Sequence, residues 1–175
     1  MATALESSAT SGGSARARAF WPLFTATFAA DVVTKRLAEG RLPPHVPHDV
    51  AGEWVRLTLT YNTGAAMNLS LGDASRVTFT VLATAMLVVV FRLYRRTAQH
   101  AVAQAAALAL IAAGALGNLF DRLRSARGVV DFIDLGIGAW RFWTFNVADV
   151  GVTIGALLLA VVLWRRPRPV GAAEG

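Results

Sequence analysis

Long apolar runs separated by short polar stretches dominate the hydrophobic pattern of the chain. A helix needs roughly 20 residues to cross about 30 Å of hydrocarbon. Residues 77–91 and 101–120 contain no charged side chain, and residues 150–164 are also uncharged. These three runs predict membrane-spanning helices.

A fourth apolar run, near the start of the chain, is shorter and ends at an acid. Residues 19–30 are uncharged, and Asp31 follows directly. At about 1.5 Å per residue this run is too short to cross a bilayer, so a spanning helix must continue through Asp31 and Lys35. A cleaved signal peptide is the alternative, but no small-x-small cleavage site follows the run.

This pattern predicts an all-α polytopic membrane protein whose membrane domain covers residues 19–165. The four predicted transmembrane helices lie at about residues 19–38, 75–93, 100–121 and 146–164. Residues 1–18, rich in small and polar side chains, predict a disordered cytoplasmic segment, and residues 166–175 a cytoplasmic tail. Residues 53–61 alternate apolar and polar side chains, which predicts a strand in a small extracytoplasmic β-element.

Composition and charge agree with a membrane protein. Hydrophobic residues make up 55% of the 175-residue chain and charged residues only 16%, which excludes an ordinary soluble domain. Arginine clusters at 92–96 and 165–168 abut predicted helix ends and favour a cytoplasmic location for both termini. The formal net charge of +6 therefore fits anionic lipid headgroups better than nucleic acid. The chain has no cysteine, and His45 and His48 sit among prolines without further ligands, so no metal or other cofactor is expected.

Two aspartates flank the connection between the third and fourth predicted helices. A carboxylate at the edge of a bilayer is costly, so Asp131 and Asp149 together indicate chemistry. The aromatic-rich residues 140–145 suit a membrane interface, and the connection is long enough to fold back and bring the two acids together. Two carboxylates that share one proton can activate water, as in an aspartic peptidase. Asp149 also has a structural interpretation, because Asn146 three residues earlier matches a helix N-cap with its acidic partner.

Three further polar phrases have both structural and functional interpretations. Asp31 and Lys35 lie four residues apart and can form an ion pair on one helix face. Residues 62–66, Asn-Thr-Gly-Ala-Ala, can be a simple turn or a place where a substrate chain approaches the backbone closely. Residues 114–122 combine small residues for helix packing with Asn118 and Arg122 at the predicted helix end.

Together these phrases resemble lipoprotein signal peptidase, the type II bacterial signal peptidase. The likeness covers roughly residues 20–165 and rests on five motifs in a fixed order. They are Asp-x-x-Thr-Lys, Asn-x-Gly-Ala-Ala, Gly-Asn-Leu-Phe-Asp-Arg, Val-Val-Asp-Phe-Ile and Phe-Asn-Val-Ala-Asp.

The resemblance implies an aspartic endopeptidase of the bacterial cytoplasmic (inner) membrane, with its active site near the extracytoplasmic face. Such an enzyme removes the signal peptide from diacylglyceryl-modified prolipoproteins, cleaving just before the lipidated cysteine. Asp131 and Asp149 match the catalytic dyad. Residues expected to bind substrate or shape the site are Asp31, Lys35, Asn62, Gly64, Ala66, Asn118, Arg122 and Asn146. Prolipoproteins and membrane lipids are the expected partners, and a monomer is expected.

Two non-enzymatic functions are the alternatives. A transporter or proton-relay protein also uses intramembrane acids, but it would spread them through the membrane depth. Residues 77–91, 101–120 and 150–164 are instead almost wholly apolar on their cytoplasmic halves. A purely structural membrane subunit would leave the clustering of the polar phrases unexplained.

Overall fold

The computed structural model describes residues 14–64 and 74–165, which form a mainly helical protein with a small sheet. The helices are α1 (Ala15–Arg41), α2 (Ser75–Arg96), α3 (Val102–Arg124) and α4 (Val147–Trp164). The strands are β1 (His48–Ala51), β2 (Val55–Asn62), β3 (Val129–Ile137) and β4 (Trp140–Arg141).

Three of the described helices, α2, α3 and α4, are long and apolar enough to cross a membrane. These are the three uncharged runs of the sequence pattern. Helix α1 falls outside this group, and it carries Asp31 and Lys35 within its length. The fourth span therefore stays a prediction.

Helix α1 begins earlier than the sequence pattern predicts. Residues 15–18, expected to be disordered, are helical because Ser14 caps the helix, its Oγ accepting a hydrogen bond from the Ala17 amide at 3.2 Å. Arg16 holds this end against the end of α2 by donating to the carbonyls of Tyr94 and Thr97. Residues 1–13 of the predicted N-terminal segment and the predicted tail at 166–175 lie outside the described residues.

Helix α3 is the central helix, and α1, α2 and α4 all pack against it. Its glycines allow the closest approaches, as the sequence analysis anticipated. A Cβ on Gly114 would overlap the Ala148 carbonyl oxygen of α4, and a Cβ on Gly117 would overlap the Asp31 carboxylate of α1. Small residues on α3 thus bring two neighbouring helices, and the polar groups they carry, to within direct contact of its backbone.

The sheet is antiparallel with strand order β1-β2-β3-β4. Strand β2 confirms the predicted strand, but its burial does not alternate as expected. Thr58 and Leu59 are both buried, because the register with β3 shifts between Leu57 and Thr60. The inner face of the sheet, with Leu59 and Val130, packs against Ala38 near the end of α1.

Candidate active site

Asp131 lies in β3, opposite Thr60 of β2, and is only 3% exposed. Two amide side chains donate to its carboxylate: Asn146 Nδ2 lies 2.6 Å from Oδ1, and Asn62 Nδ2 lies 3.2 Å from Oδ2. Asn62 is itself oriented, since its Oδ1 accepts the Gly64 amide at 2.9 Å. The carboxylate is therefore held from both sides by neutral donors.

Asp149 lies in the first turn of α4, where the predicted N-cap is confirmed as a reciprocal capping box. The Oδ1 of Asn146 accepts the Asp149 amide at 3.0 Å, and Asp149 Oδ2 accepts the Asn146 amide at 3.2 Å. The other oxygen, Oδ1, accepts Asn118 Nδ2 at 2.8 Å. Asn146 therefore contacts both aspartates: its side chain donates to the Asp131 carboxylate, and its backbone N–H donates to the Asp149 carboxylate.

The connection between β3 and α4 folds back in the predicted way. It does so through β4 and an isolated bridge between Ile133 and Phe145. The Phe145 amide donates to the Ile133 carbonyl at 3.0 Å, and the Ile133 amide donates to the Phe145 carbonyl at 2.8 Å. Because Asn146 follows Phe145 directly, this bridge carries the helix cap to Asp131.

Lys35 is the centre of a buried polar network that joins α1 to α3. Its Nζ lies 2.8 Å from Asp31 Oδ2, 2.9 Å from Asp121 Oδ2 and 2.9 Å from Asn118 Oδ1. An ammonium group only donates, so Lys35 fixes the Asn118 amide with its oxygen towards α1 and its NH2 towards Asp149. The predicted Asp31–Lys35 ion pair is thus present, and it forms one part of a larger arrangement.

Asp31 connects this network to a third helix, α4. Its Oδ1 accepts the backbone amide of Ala148, in the first turn of α4, at 2.8 Å. The first-turn amides of a helix have no partner within the helix, so a carboxylate is favoured at this place. Asp31 and Asn146 therefore hold the start of α4 from two directions.

Asp121 also belongs to this network, although it was not predicted as a site residue. It is 2% exposed, and its Oδ2 accepts the Val130 amide at 3.2 Å as well as Lys35. Its place in the motif Gly-Asn-Leu-Phe-Asp-Arg was the available signal. Consecutive residues on a helix point in different directions, and Arg122 reaches away from Asp121.

Arg122 connects α3 to the segment that follows β2. Its Nη2 donates to the Gly64 carbonyl at 2.8 Å, and its Nη1 donates to the Asn118 carbonyl at 3.2 Å. Gly64 thus joins the site through its backbone. Ala66, the remaining predicted position, lies outside the described residues.

A cavity of about 550 Å³ opens beside the two aspartates. Five of its polar lining residues are predicted site residues, namely Asn62, Asn118, Arg122, Asp131 and Asp149. Its other walls come from residues 142–145 and from α4, including Val150, Thr153 and Ile154. The aromatic residues at 140–145 predicted only a membrane interface, and their contribution to the cavity was not predicted.

The electrostatic setting of Asp131 favours its protonated form. Burial and, second, the neighbouring Asp149 carboxylate raise the pKa of Asp131 from 3.8 to about 7, against the opposing effects of the Asn62 and Asn146 hydrogen bonds and of Lys35. Asp131 can therefore hold a proton at pH values where an ordinary carboxyl group has lost it. Among residues 14–64 and 74–165, no group of three or more His, Cys, Asp or Glu side chains is arranged to hold a metal ion.

A fold of apolar helices with a pair of acids, one buried and one half-buried, beside a cavity defines a membrane-embedded enzyme. A solved bacterial membrane enzyme, determined in meso at 2.3 Å, has the same fold: its TM-score is 0.76 at 27% identity, over 88% of this chain and 92% of that one. A second solved bacterial membrane enzyme, determined at 1.9 Å, gives a TM-score of 0.73 at 29% identity, over 83% of this chain and 92% of that one.

The family follows from the sequence comparison, in which residues 23–165 match the model of signal peptidase (SPase) II. Lipoprotein signal peptidase of Streptomyces coelicolor is 37% identical over 149 residues, 82% of this chain and 69% of the relative. That of Hydrogenovibrio crunogenus is 39% identical over 145 residues, 79% of this chain and 81% of the relative. The chain belongs to the signal peptidase II family, and it is a membrane-bound peptidase.

The raised pKa of Asp131 predicts how Asp131→Asn changes stability with pH. The protonated Asp131 carboxyl group makes its full contribution to the free energy of unfolding below about pH 4. This contribution is lost as the pH rises through about 7. Asparagine does not titrate, so the stability of the variant relative to wild type should increase across this window, by up to about 4 kcal/mol. Unfolding measured in detergent from about pH 4 to pH 8 checks this. A difference that stays constant over the window would contradict it.

Proposed function

We propose that this protein is an aspartic endopeptidase that removes the signal peptide from diacylglyceryl-modified prolipoproteins, cleaving just before the lipidated cysteine. The observation that carries the proposal is the pair of carboxylates, Asp131 and Asp149, bonded to one asparagine at the wall of a cavity. Membership of the signal peptidase II family, and relatives that bear the name lipoprotein signal peptidase, supply the substrate class.

The proposed reaction uses one proton shared by the two acids. Asp131, whose pKa is near 7, holds this proton and donates it in a hydrogen bond to the oxygen of the scissile carbonyl. Ionised Asp149 removes a proton from water as the water oxygen attacks the carbonyl carbon. As water adds, the Asp131 proton moves to the carbonyl oxygen and gives a gem-diol intermediate. The C–N bond then breaks, the nitrogen leaves with the proton that Asp149 took from water, and a hydroxyl of the intermediate returns a proton to Asp131.

Asn118 and Lys35 are positioning residues in this mechanism. Asn118 donates to Asp149, and Lys35 determines which end of the Asn118 amide does so. An inverted amide would present an oxygen to the Asp149 carboxylate and repel it. Asp31, Asn62 and Asn146 orient the same two carboxylates through the contacts described above.

The lining of the cavity supports a lipid-modified substrate. Besides the aspartates, it includes apolar side chains of α4 such as Val150 and Ile154. Ile154 is 51% exposed, and Leu157 beyond it is 63% exposed, so α4 carries apolar side chains beside the cavity that lipid would cover. A diacylglyceryl group can stay in lipid while the scissile bond reaches the aspartates.

We further propose that α1 is a fourth transmembrane helix and that both termini are cytoplasmic. The amide of Arg16, near the start of α1, donates to the Gln99 carbonyl in the α2–α3 connection, and the opposite end of α1 packs on the sheet through Ala38. Helix α1 therefore traverses the same thickness as α3. Asp31 and Lys35 pair inside the protein, so neither charge needs to face lipid. Arginines at the end of α2 favour the cytoplasm there, with the sheet and site outside.

The proposed dyad mechanism predicts what happens when either carboxyl group is removed. Asp131→Asn and Asp149→Asn should each reduce cleavage of a purified diacylglyceryl-modified precursor by at least about 10³-fold while the protein still folds, because each removes a proton-transfer group. Asp49→Asn, on exposed strand β1, is the matched control and should cleave like wild type. Turnover by either dyad variant within about tenfold of wild type would contradict the mechanism.

The absence of native cysteine makes the proposed topology simple to test. Val50→Cys follows α1 and is exposed, Ser8→Cys precedes α1, and Ala98→Cys lies in the α2–α3 connection. A membrane-impermeant maleimide should label Val50→Cys in intact cells and the other two only after lysis. Labelling of Ser8→Cys and Val50→Cys from the same side would show that α1 does not span.

A further inference from the structure

A further buried acid on β3 takes no part in the proposed chemistry. Asp134 is 8% exposed and lies three residues beyond Asp131. Its Oδ2 accepts the hydroxyl of Thr58 on β2 at 3.0 Å, and its Oδ1 accepts Nε of Arg141 on β4 at 2.9 Å. Both oxygens are thus used to join three strands.

Arg141 uses every nitrogen of its guanidinium in this joint. Besides Nε, its Nη2 lies 2.8 Å from Asp134 Oδ1 and donates to the Asp134 carbonyl at 3.0 Å. Its Nη1 donates to the carbonyl of Glu53, in the turn between β1 and β2, at 2.6 Å. A planar, multiply bonded guanidinium fixes both distance and direction, which a lysine could not do. The pair therefore fixes β4 relative to the rest of the sheet.

The segment that follows β4 forms one wall of the cavity. Residues 142–145, here called the aromatic wall, all line the cavity beside the aspartates. Phe142 and Trp143 are 55% and 47% exposed, and their rings contact each other with centroids 5.1 Å apart. The wall is attached at its end through the bridge of Phe145 to Ile133, and at its start through Arg141 and the Phe142 amide, which donates to the Leu135 carbonyl at 2.7 Å.

We propose that the Asp134–Arg141 pair positions the aromatic wall and thereby sets how tightly the cavity binds the apolar part of the substrate. The inference rests on the proposed function for the identity of that substrate. The far end of the wall is held independently, by Phe145 and by Asn146, which also holds the dyad. Loss of the pair therefore displaces the start of the wall without moving the carboxylates, and it weakens binding rather than chemistry.

The test separates KM from kcat in cleavage of a diacylglyceryl-modified precursor in mixed micelles. Arg141→Gln should raise KM about three- to tenfold, the size of a lost aromatic contact, with kcat within about twofold of wild type. Arg56→Gln is the matched control, because Arg56 pairs with Asp49 at 2.6 Å in the same sheet but does not hold the wall. Its KM should equal that of wild type.

Two further variants keep the test decisive if Arg141→Gln folds poorly. Asp134→Asn keeps the shape of the side chain and should raise KM in the same way. Trp143→Ala should also raise KM, and combining it with Arg141→Gln should add little, since both act through one wall. Hydrogen exchange should become faster at the Phe142 amide and stay unchanged at the Phe145 amide.

The outcomes distinguish the inference from the function on which it rests. Unchanged KM in folded Arg141→Gln and Asp134→Asn, or a fall in kcat as large as the rise in KM, would overturn the inference and leave the peptidase intact. A wild-type protein that does not cleave the precursor would instead overturn the proposed function. Hydrogen exchange would then still decide whether the pair positions the wall.

Discussion

The geometry of the site depends on the hydrogen bonds of the Asn146 side chain. It is fully buried, and each of its polar atoms has a partner: Oδ1 accepts the Asp149 amide, and Nδ2 donates to Asp131 and to the Val130 carbonyl. A helix cap normally satisfies one helix, whereas this cap also joins the start of α4 to β3. Capping and the pairing of two carboxylates are therefore one arrangement, and the two interpretations of Asp149 describe the same contacts.

Next to Asn146, the buried charges around Lys35 contribute more to the orientation of neighbouring side chains than to the stability of the fold. Burying an ammonium and two carboxylates is costly, and such groups often stabilise a fold no better than apolar residues would. What Lys35 contributes is geometry, since its contacts with Asp31, Asp121 and Asn118 hold three side chains in one orientation. Through Asn118, whose oxygen also accepts Asn146 Nδ2 at 3.2 Å, that orientation reaches Asp149.

Local sequence patterns were sufficient for the parts of the structure that depend on local physics. The three uncharged runs correctly predicted helices, because the length of an apolar segment is visible in the sequence itself. The spacing of Asn146 and Asp149 correctly predicted the capping box. Strand β3 was missed, since its first residues are all buried and show no two-residue period. Asp121 and the aromatic wall were missed as site components because their roles arise from residues distant in sequence, Lys35 for the first and Asp131 for the second.

The measurement that tests the central claim most directly is the activity and stability of Asn146→Ser. Serine is a good N-cap, so α4 should keep its cap, whereas the buried Val130 carbonyl and the Asp131 carboxylate lose their donor. The free energy of unfolding should therefore fall by about 1–3 kcal/mol, and the protein should stay folded. The short serine side chain cannot donate to Asp131 as the amide does, so cleavage of the lipid-modified precursor should fall by about 10²-fold or more. Wild-type cleavage by a well-folded Asn146→Ser protein would contradict the claim that one asparagine both caps α4 and holds the two carboxylates for the proposed reaction.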